Sequence, residues 1–383
     1  MERKKFLYIL NIAPRVNNFS YAGMLAAQEL GVEFHIAGHW SYASLEELLD
    51  DEKRYGIKIH QIDFIRTPYH PENIKAFLEL NELVKREQFD VIHCNTPIGG
   101  MLGRMIGKIH KIPKVIYQAH GFHFYKGAPL LNWLLYYPVE KWLARYTDVL
   151  ITINREDYQL AKRKMKLRDG GKVFYVPGVG IDTSLFYVGA DSRKNKRAEL
   201  RLNTDDVALI SMGDLIERKN YPTAIRAVSE AKNDHLHYFI CGTGTEEGAL
   251  KTLAEQLHVA QQIHFLGFRS DIKELLAASD MFLFTTKQEG LPRSTMEAMA
   301  SGLPCVASKI RGNVDLIEDG VNGFLCDPQD AAEFAEKINL LAADVGLRKK
   351  MGSTNQVAIQ KFSTETVIGE MQKIYAGELL ARE

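Results

Sequence analysis

Met281-Phe-Leu-Phe-Thr-Thr-Lys-Gln-Glu-Gly-Leu-Pro-Arg-Ser-Thr-Met-Glu-Ala-Met-Ala-Ser-Gly-Leu-Pro-Cys-Val-Ala-Ser308 reads as one strand-helix-strand unit. The short apolar run Met281 to Thr285 predicts a strand and Gly290 a tight turn. Pro292 to Ala300 predicts a helix with proline at its first position, where a missing N–H costs nothing. Cys305 to Ser308 predicts the next strand. Such alternation is the mark of a parallel sheet covered by crossover helices.

The pattern extends in both directions. Ala208 to Gly213, His237 to Gly242 and Gln262 to Gly267 predict strands upstream, with helices near Tyr221 to Ala231, Glu246 to Leu257 and Asp271 to Ala278. In the first half the strand candidates are Lys5 to Asn11, Val32 to Gly38, Ile57 to Asp63, Asp90 to Asn95, Lys114 to Ala119, Asp148 to Ile153 and Lys172 to Val176. Glu72 to Glu87 and Leu131 to Tyr146 are helical patterns among them. Pro177-Gly-Val-Gly180 is a turn-rich joint, and the boundary falls near Pro177 to Phe186. The expected fold is α/β, with two doubly wound domains, residues 1–180 and 181–362, facing a shared cleft, and a terminal helix, 363–383, packing back towards the first. Ligands bind such sheets beyond the carboxyl ends of their strands.

Composition agrees with two domains. The chain has 383 residues, beyond the roughly 250–300 at which a single core stops growing. Basic and acidic residues balance at 48 each, so no global field argues for nucleic acid. Cys94, Cys241, Cys305 and Cys326 form no CxxC pair and lie in or beside apolar runs, which reads as buried thiols in a reducing compartment. The FLYILNIA run meets Pro14 and Arg15 too soon for a signal sequence, and no stretch is long enough to span a bilayer. A cytoplasmic protein is expected.

The chemistry concentrates where the first quoted strand meets its helix. Glu289 stands at the strand end, where its carboxylate can accept hydrogen bonds from sugar hydroxyls, and Glu297 lies about two turns along, suited to a ribose diol. Gly290 allows the turn, and the helix start beyond Leu291 and Pro292 favours an anionic phosphate. A plainer reading makes Arg293 and Glu297 an i,i+4 pair on a surface helix. No GxGxxG follows the first strand, which argues against a nicotinamide enzyme, and no cluster has metal-ligand spacing.

This Glu289-to-Glu297 segment resembles the retaining glycosyltransferases of family 4, with their GT-B fold, as found in bacterial capsule, exopolysaccharide and O-antigen synthesis. The resemblance runs through Val173 to Asp182, Ser211 to Asn220 and His264 to Asp271. It implies that Lys219, with Arg218 beside it, neutralises the donor diphosphate, where fixed cations stabilise the departing charge. Many relatives carry Arg directly after Gly213; here Asp214 takes that place, so Arg218 or backbone amides must supply the charge. A solvated helix start is the plainer reading of Arg218 and Lys219. Gly242 and Gly244 are expected to let backbone approach the donor. Main-chain groups at Phe268 and Arg269 are expected to read the base, with uracil preferred; plain core is the alternative for Phe268.

From the first half, His120 follows a strand and is expected near the donor sugar, donating or accepting a hydrogen bond; His93 reads as packing. The loop Pro14 to Tyr21 lacks the glycines many relatives carry there, having Asn17 and Asn18, with Gly23 after it. Asn154, in Thr152 to Asp157, matches close relatives without a legible role. Phe122 to Arg145 mixes aromatic, leucine and basic residues, and fits either a membrane-surface helix or an ordinary core helix with a snorkelling rim. The expected activity is metal-independent, retaining transfer of a hexose or N-acetylhexosamine from a nucleotide donor, UDP-linked by preference, to a saccharide or lipid-diphosphate-linked saccharide acceptor, and the membrane-surface reading of Phe122 to Arg145 adds peripheral contact at the inner leaflet. A sugar-nucleotide epimerase, a glycan phosphorylase and a noncatalytic sugar-binding subunit share the scaffold. The paired glutamates with Lys219 favour a catalyst, since binding alone needs no diphosphate clamp.

Overall fold

The computed structural model describes residues 3–379 except 17, 42, 68 and 69. The chain divides into two compact units, Met1–Gly180 together with Thr364–Glu383, and Ile181–Ser363. Each is built on a wholly parallel sheet, and both are Rossmann-like.

In the first unit the strands are β1 (Lys5–Ile12), β2 (Glu33–His39), β3 (Lys58–Gln61), β4 (Val91–Asn95), β5 (Lys114–Ala119), β6 (Val149–Thr152) and β7 (Lys172–Tyr175), in the order β3-β2-β1-β4-β5-β6-β7. Side chains alternate across β1. Leu7 and Ile9 face a core shared with the helices Glu72–Glu87 and Pro97–Ile109, while Phe6, Tyr8 and Leu10 face the helices Asn18–Gln28 and Thr364–Leu379. The terminal helix is therefore part of this unit's core. Tyr375 Oη lies 2.6 Å from His93 Nδ1, and Glu378 pairs with Lys114 and Lys172.

The second unit carries β8 (Val207–Met212), β9 (Leu236–Cys241), β10 (Ile263–Gly267), β11 (Met281–Phe284), β12 (Cys305–Ser308) and β13 (Gly323–Cys326), ordered β10-β9-β8-β11-β12-β13. β13 was not expected from the sequence. Its Gly323 is fixed by the sheet, since a Cβ there would lie 2.3 Å from the Cys305 carbonyl oxygen. Pro292 flanks the helix Arg293–Ala300 and does not open it, one residue from the expected position.

All four cysteines are buried and free, and burial pushes the Cys94, Cys241 and Cys326 thiols up to about 12. Among the described residues no helix is long and apolar enough to cross a membrane.

Candidate active site

In both sheets the strand order reverses beside the first strand, and there the loops on either side diverge to leave a crevice. In the second unit the reversal lies between β8 and β11. The loops leaving these strands are sewn together. Asn220, held at φ +55°, donates through Nδ2 to the Thr285 carbonyl, and Thr285 Oγ1 donates back to the Asn220 carbonyl at 2.8 Å. Lys287 N–H adds a bond to the Arg218 carbonyl.

This stitching brings the adjacent Arg218 and Lys219 to Glu289, which lies 70 residues beyond Lys219 in sequence. One carboxylate oxygen, Glu289 Oε1, accepts from Lys219 Nζ at 2.8 Å, Arg218 Nη1 at 2.8 Å and Thr286 Oγ1 at 3.0 Å. Lys219 and Glu289 are largely buried, and Arg218 is more open. Two cations on one carboxylate leave a net positive charge. The Glu289 backbone is anchored by Arg311, whose Nε donates to the Glu289 carbonyl at 3.0 Å, and Gly312, at φ +85°, lets the chain pass Gly290 where a Cβ would come within 2.6 Å of its carbonyl.

The neighbouring glycines have a packing reason. Gly213 lies under Lys219, so that a Cβ would stand 3.2 Å from Lys219 Cε. A Cβ at Gly242 would meet the Gly213 carbonyl oxygen at 2.0 Å, and one at Gly244 the Leu215 carbonyl oxygen at 2.3 Å. These residues let the loops after β8 and β9 lie against each other. Glu297 is held by Arg293 Nε at 2.8 Å, the i,i+4 pair of the plainer reading, and Leu291 packs against the core. Phe268 is 85% exposed, which removes the core alternative. Arg269 is bound to Asp271 and Glu199, and its guanidinium holds the Asp271 carboxyl well below the usual range. Asp214 is exposed, while Arg218 reaches Glu289.

In the first unit the reversal between β1 and β4 opens a crevice of about 450 Å³ lined by Asn11, Arg66, Asn95, Thr96 and His120, among others. His120 follows β5, and its Nε2 lies 3.0 Å from Asn95 Oδ1. Because Asn95 Nδ2 donates to the Ile9 carbonyl, Oδ1 is the atom facing the ring, so Nε2 carries the proton. Nδ1 is then the acceptor, and it is buried without a partner. Burial pushes the imidazole down to about 4, so it is neutral at pH 7. His93 is fully buried against Tyr375, with its imidazole pushed down to about 3.

Asn95 escaped the sequence reading because nothing marks a strand's last residue as a tautomer-setting group. Asn154 acquires a role: it caps the helix Arg155–Lys164 through Asp157 N–H, and Asp157 Oδ2 accepts from Phe122 N–H at 3.0 Å, fixing the loop just past His120. Asn17 lies outside the described residues. Gly23 sits inside a helix, where a Cβ would fall 2.9 Å from Tyr8 Cε2, so it serves helix-to-sheet approach.

Two parallel-sheet units, one with cations gathered on a carboxylate at its switch point, suit an anionic ligand, and comparison with known proteins makes the class definite. Residues 192–357 match the family model described as Glycosyl transferases group 1, and residues 40–154 match Glycosyl transferase 4-like. The chain is 35% identical over 378 residues to "Putative glycosyltransferase EpsD" of Bacillus subtilis (strain 168), covering 97% of this chain and 96% of that one. It is 26% identical to the UDP-Gal:alpha-D-GlcNAc-diphosphoundecaprenol alpha-1,3-galactosyltransferase of Escherichia coli, over 79% of each. The crystal structure of Anabaena Alr3699/HepE in complex with UDP-glucose superposes with a TM-score of 0.79 at 19% identity, covering 97% of this chain and 99% of that one. The chain belongs to the group 1, family-4-like glycosyltransferases, with the GT-B fold, and is an enzyme of that kind.

Proposed function

We propose that the enzyme transfers a sugar, of N-acetylhexosamine type, from a UDP donor to a saccharide acceptor linked to a lipid diphosphate, with retention, in surface polysaccharide synthesis. The observation that carries this reading is the gathering of Lys219 and Arg218 on Glu289 at the switch point of the second unit. A diphosphate arriving there competes with Glu289 for the two cations, and its charge grows as the sugar departs, when fixed cations stabilise it most. Glu289, so released, would hold the donor sugar's hydroxyls. Glu297 would exchange Arg293 for the ribose diol, and backbone at Phe268 and Arg269 would read uracil.

In the same mechanism the acceptor hydroxyl enters on the face the diphosphate leaves, and a leaving phosphate oxygen takes its proton. Lys219 and Arg218 supply the positive charge, so the reaction runs without a metal. The UDP donor is supported by the galactosyltransferase and UDP-glucose complex above, and the lipid-diphosphate acceptor by the former's diphosphoundecaprenol substrate. The enzyme works at the cytoplasmic membrane face, to which the exposed leucines of the helix Leu130–Ala144 and its flanking Lys126, Lys141 and Arg145 are suited. Incubation with labelled UDP-sugars, with and without polyprenyl-diphosphate-linked saccharides, tests the reading. Labelled lipid product carrying the α linkage of an α donor supports it. An epimerised nucleotide sugar, or no transfer to any lipid-linked saccharide, overturns it.

A further inference from the structure

We propose that a cavity beneath the helix Leu130–Ala144 receives the apolar chain of the lipid-linked acceptor. This rests on the acceptor reading above and names where that acceptor's chain lies. The cavity measures about 330 Å³, at the small end of the ~300–1,000 Å³ range of ligand sites. Its walls include Met101, Phe122, Phe124 and Leu143.

Two ionisable wall residues, Tyr117 and Glu140, are tied to the buried Arg104. Arg104, 1% exposed, donates from Nη1 and Nη2 to the two Glu140 oxygens at 2.8 and 3.1 Å, and from Nε to the Gly100 carbonyl at 2.7 Å. Tyr117 Oη donates to Glu140 at 3.3 Å, and the guanidinium lies 3.8 Å from the centre of the Tyr117 ring. With Tyr117 and Glu140 so engaged, the polar wall groups gather at His120 and His123 on the crevice side, and the space against Met101, Phe122, Phe124 and Leu143 suits hydrocarbon.

The cavity adjoins the switch-point crevice on one side and an apolar surface on the other. Thr96, Pro97, Ile98, His120, His123 and Tyr136 line both the cavity and the crevice, so one amphiphilic molecule can place its polar head in the crevice and its chain in the cavity. Leu135 and Val139 line the cavity and are also exposed. They fall on one helix face with Leu131 and Trp142, at i, i+4, i+8 and i+11. Leu130, Leu131 and Leu134 are 73%, 61% and 64% exposed, and the exposed Lys126, Lys141 and Arg145 flank them. Cations beside a leucine band suit an anionic leaflet, from which a chain can pass into the cavity along apolar surface throughout.

The test uses the full chain saturated with UDP, so that the cations near Glu289 are occupied, and titrates it with geranyl diphosphate or inorganic diphosphate. Geranyl diphosphate is expected to raise Tm further and inorganic diphosphate to leave it unchanged. Val139→Trp, at the cavity mouth, is expected to weaken geranyl diphosphate binding at least tenfold with UDP binding retained, while Leu131→Ser, outside the cavity, leaves both intact. A diazirine analogue of geranyl diphosphate is expected to label peptides containing Met101 or Leu143, a readout that needs no variant. UDP stabilisation without geranyl diphosphate binding, or unchanged binding in a folded Val139→Trp, overturns the cavity and leaves the donor site standing. Geranyl diphosphate binding at the labelled peptides without UDP stabilisation supports the cavity while sinking the donor reading.

Discussion

Glu289 Oε1 and Lys219 Nζ lie 2.8 Å apart, and Arg218 donates to the same oxygen. A carboxylate that takes two cations must let at least one of them go for a diphosphate to bind them. Glu289→Gln keeps the shape and removes the charge that hands those cations over. Its kcat is expected to fall about 10²–10³-fold, the scale of losing one fixed electrostatic contact in a transition state. UDP binding should persist or tighten, because the cations lose their competitor. Steady-state kinetics with nucleotide titration checks both, and near-native turnover removes Glu289 from the reacting centre.

Gly242→Ala should be destabilising for two reasons that add. The residue sits at φ +149°, and its Cβ would strike the Gly213 carbonyl oxygen at 2.0 Å. A loss of about 2 kcal/mol or more is expected from overpacking and backbone strain together, seen as a lower urea midpoint. UDP affinity should fall as well, because Gly213 lies under Lys219.

Asn95→Leu leaves the His120 Nε2–H without its acceptor and frees the ring to change tautomer. A roughly tenfold drop in kcat/KM is expected, the scale of a buried donor left unmet, with UDP affinity unchanged. The ¹⁵N shifts of His120 should move from a pure Nε2–H pattern to a mixture; an unaltered pattern would show that Asn95 does not set it.

Acid should weaken both units. His35 Nδ1 lies 2.9 Å from His60 Nε2 across β2 and β3, and His237 Nδ1 lies 3.0 Å from His264 Nε2 across β9 and β10. Each contact needs a lone pair on one ring. Burial holds His35 and His264 below their ordinary value and His60 at about 4. An unfolded chain takes up these protons near pH 6.5 and the folded one only at lower pH, so stability is full above pH 6.5 and drains as pH falls towards 4. Tm at pH 7.5, 6.0 and 4.8 should fall in that order, and less steeply in His60→Gln.

If Lys219 and Arg218 carry the charge of the leaving diphosphate, chelation should be harmless. Turnover in EDTA is expected to match the untreated enzyme, while Lys219→Ala should lose most of it in either buffer. A rate that collapses in EDTA and returns with Mg²⁺ would show a metal sharing that task.

The sequence announced most strands because parallel strands covered on both faces are short, dense apolar runs. It did not announce β13, whose Gly323-Phe-Leu-Cys326 opens on a glycine, a residue depleted in strands. Glu289, Lys219 and Arg218 were legible through a resemblance. That both cations settle on one oxygen was not, because β8 and β11 become neighbours only through a crossover that local pattern cannot see. Gly242 and Gly244 were expected to let backbone approach the donor, and the structure shows them letting the loops after β8 and β9 approach each other. For the helix Leu130–Ala144 the sequence left a membrane-surface and a core reading open; the structure buries only Leu143 and Ala144 fully and leaves much of its apolar surface exposed.

The helix Thr364–Leu379 closes the core around Phe6 and Tyr8, and its Tyr375 reaches His93. During synthesis the residues of Ile181–Ser363 emerge as an unbroken stretch, whereas the earlier strands must wait for the last turn of the chain to cover one face. At ~5–20 residues per second that interval is roughly 10–40 s. The half that leaves the ribosome first is therefore the half finished last, and through that interval it presents a bare apolar sheet face to whatever chaperone stands at the exit tunnel.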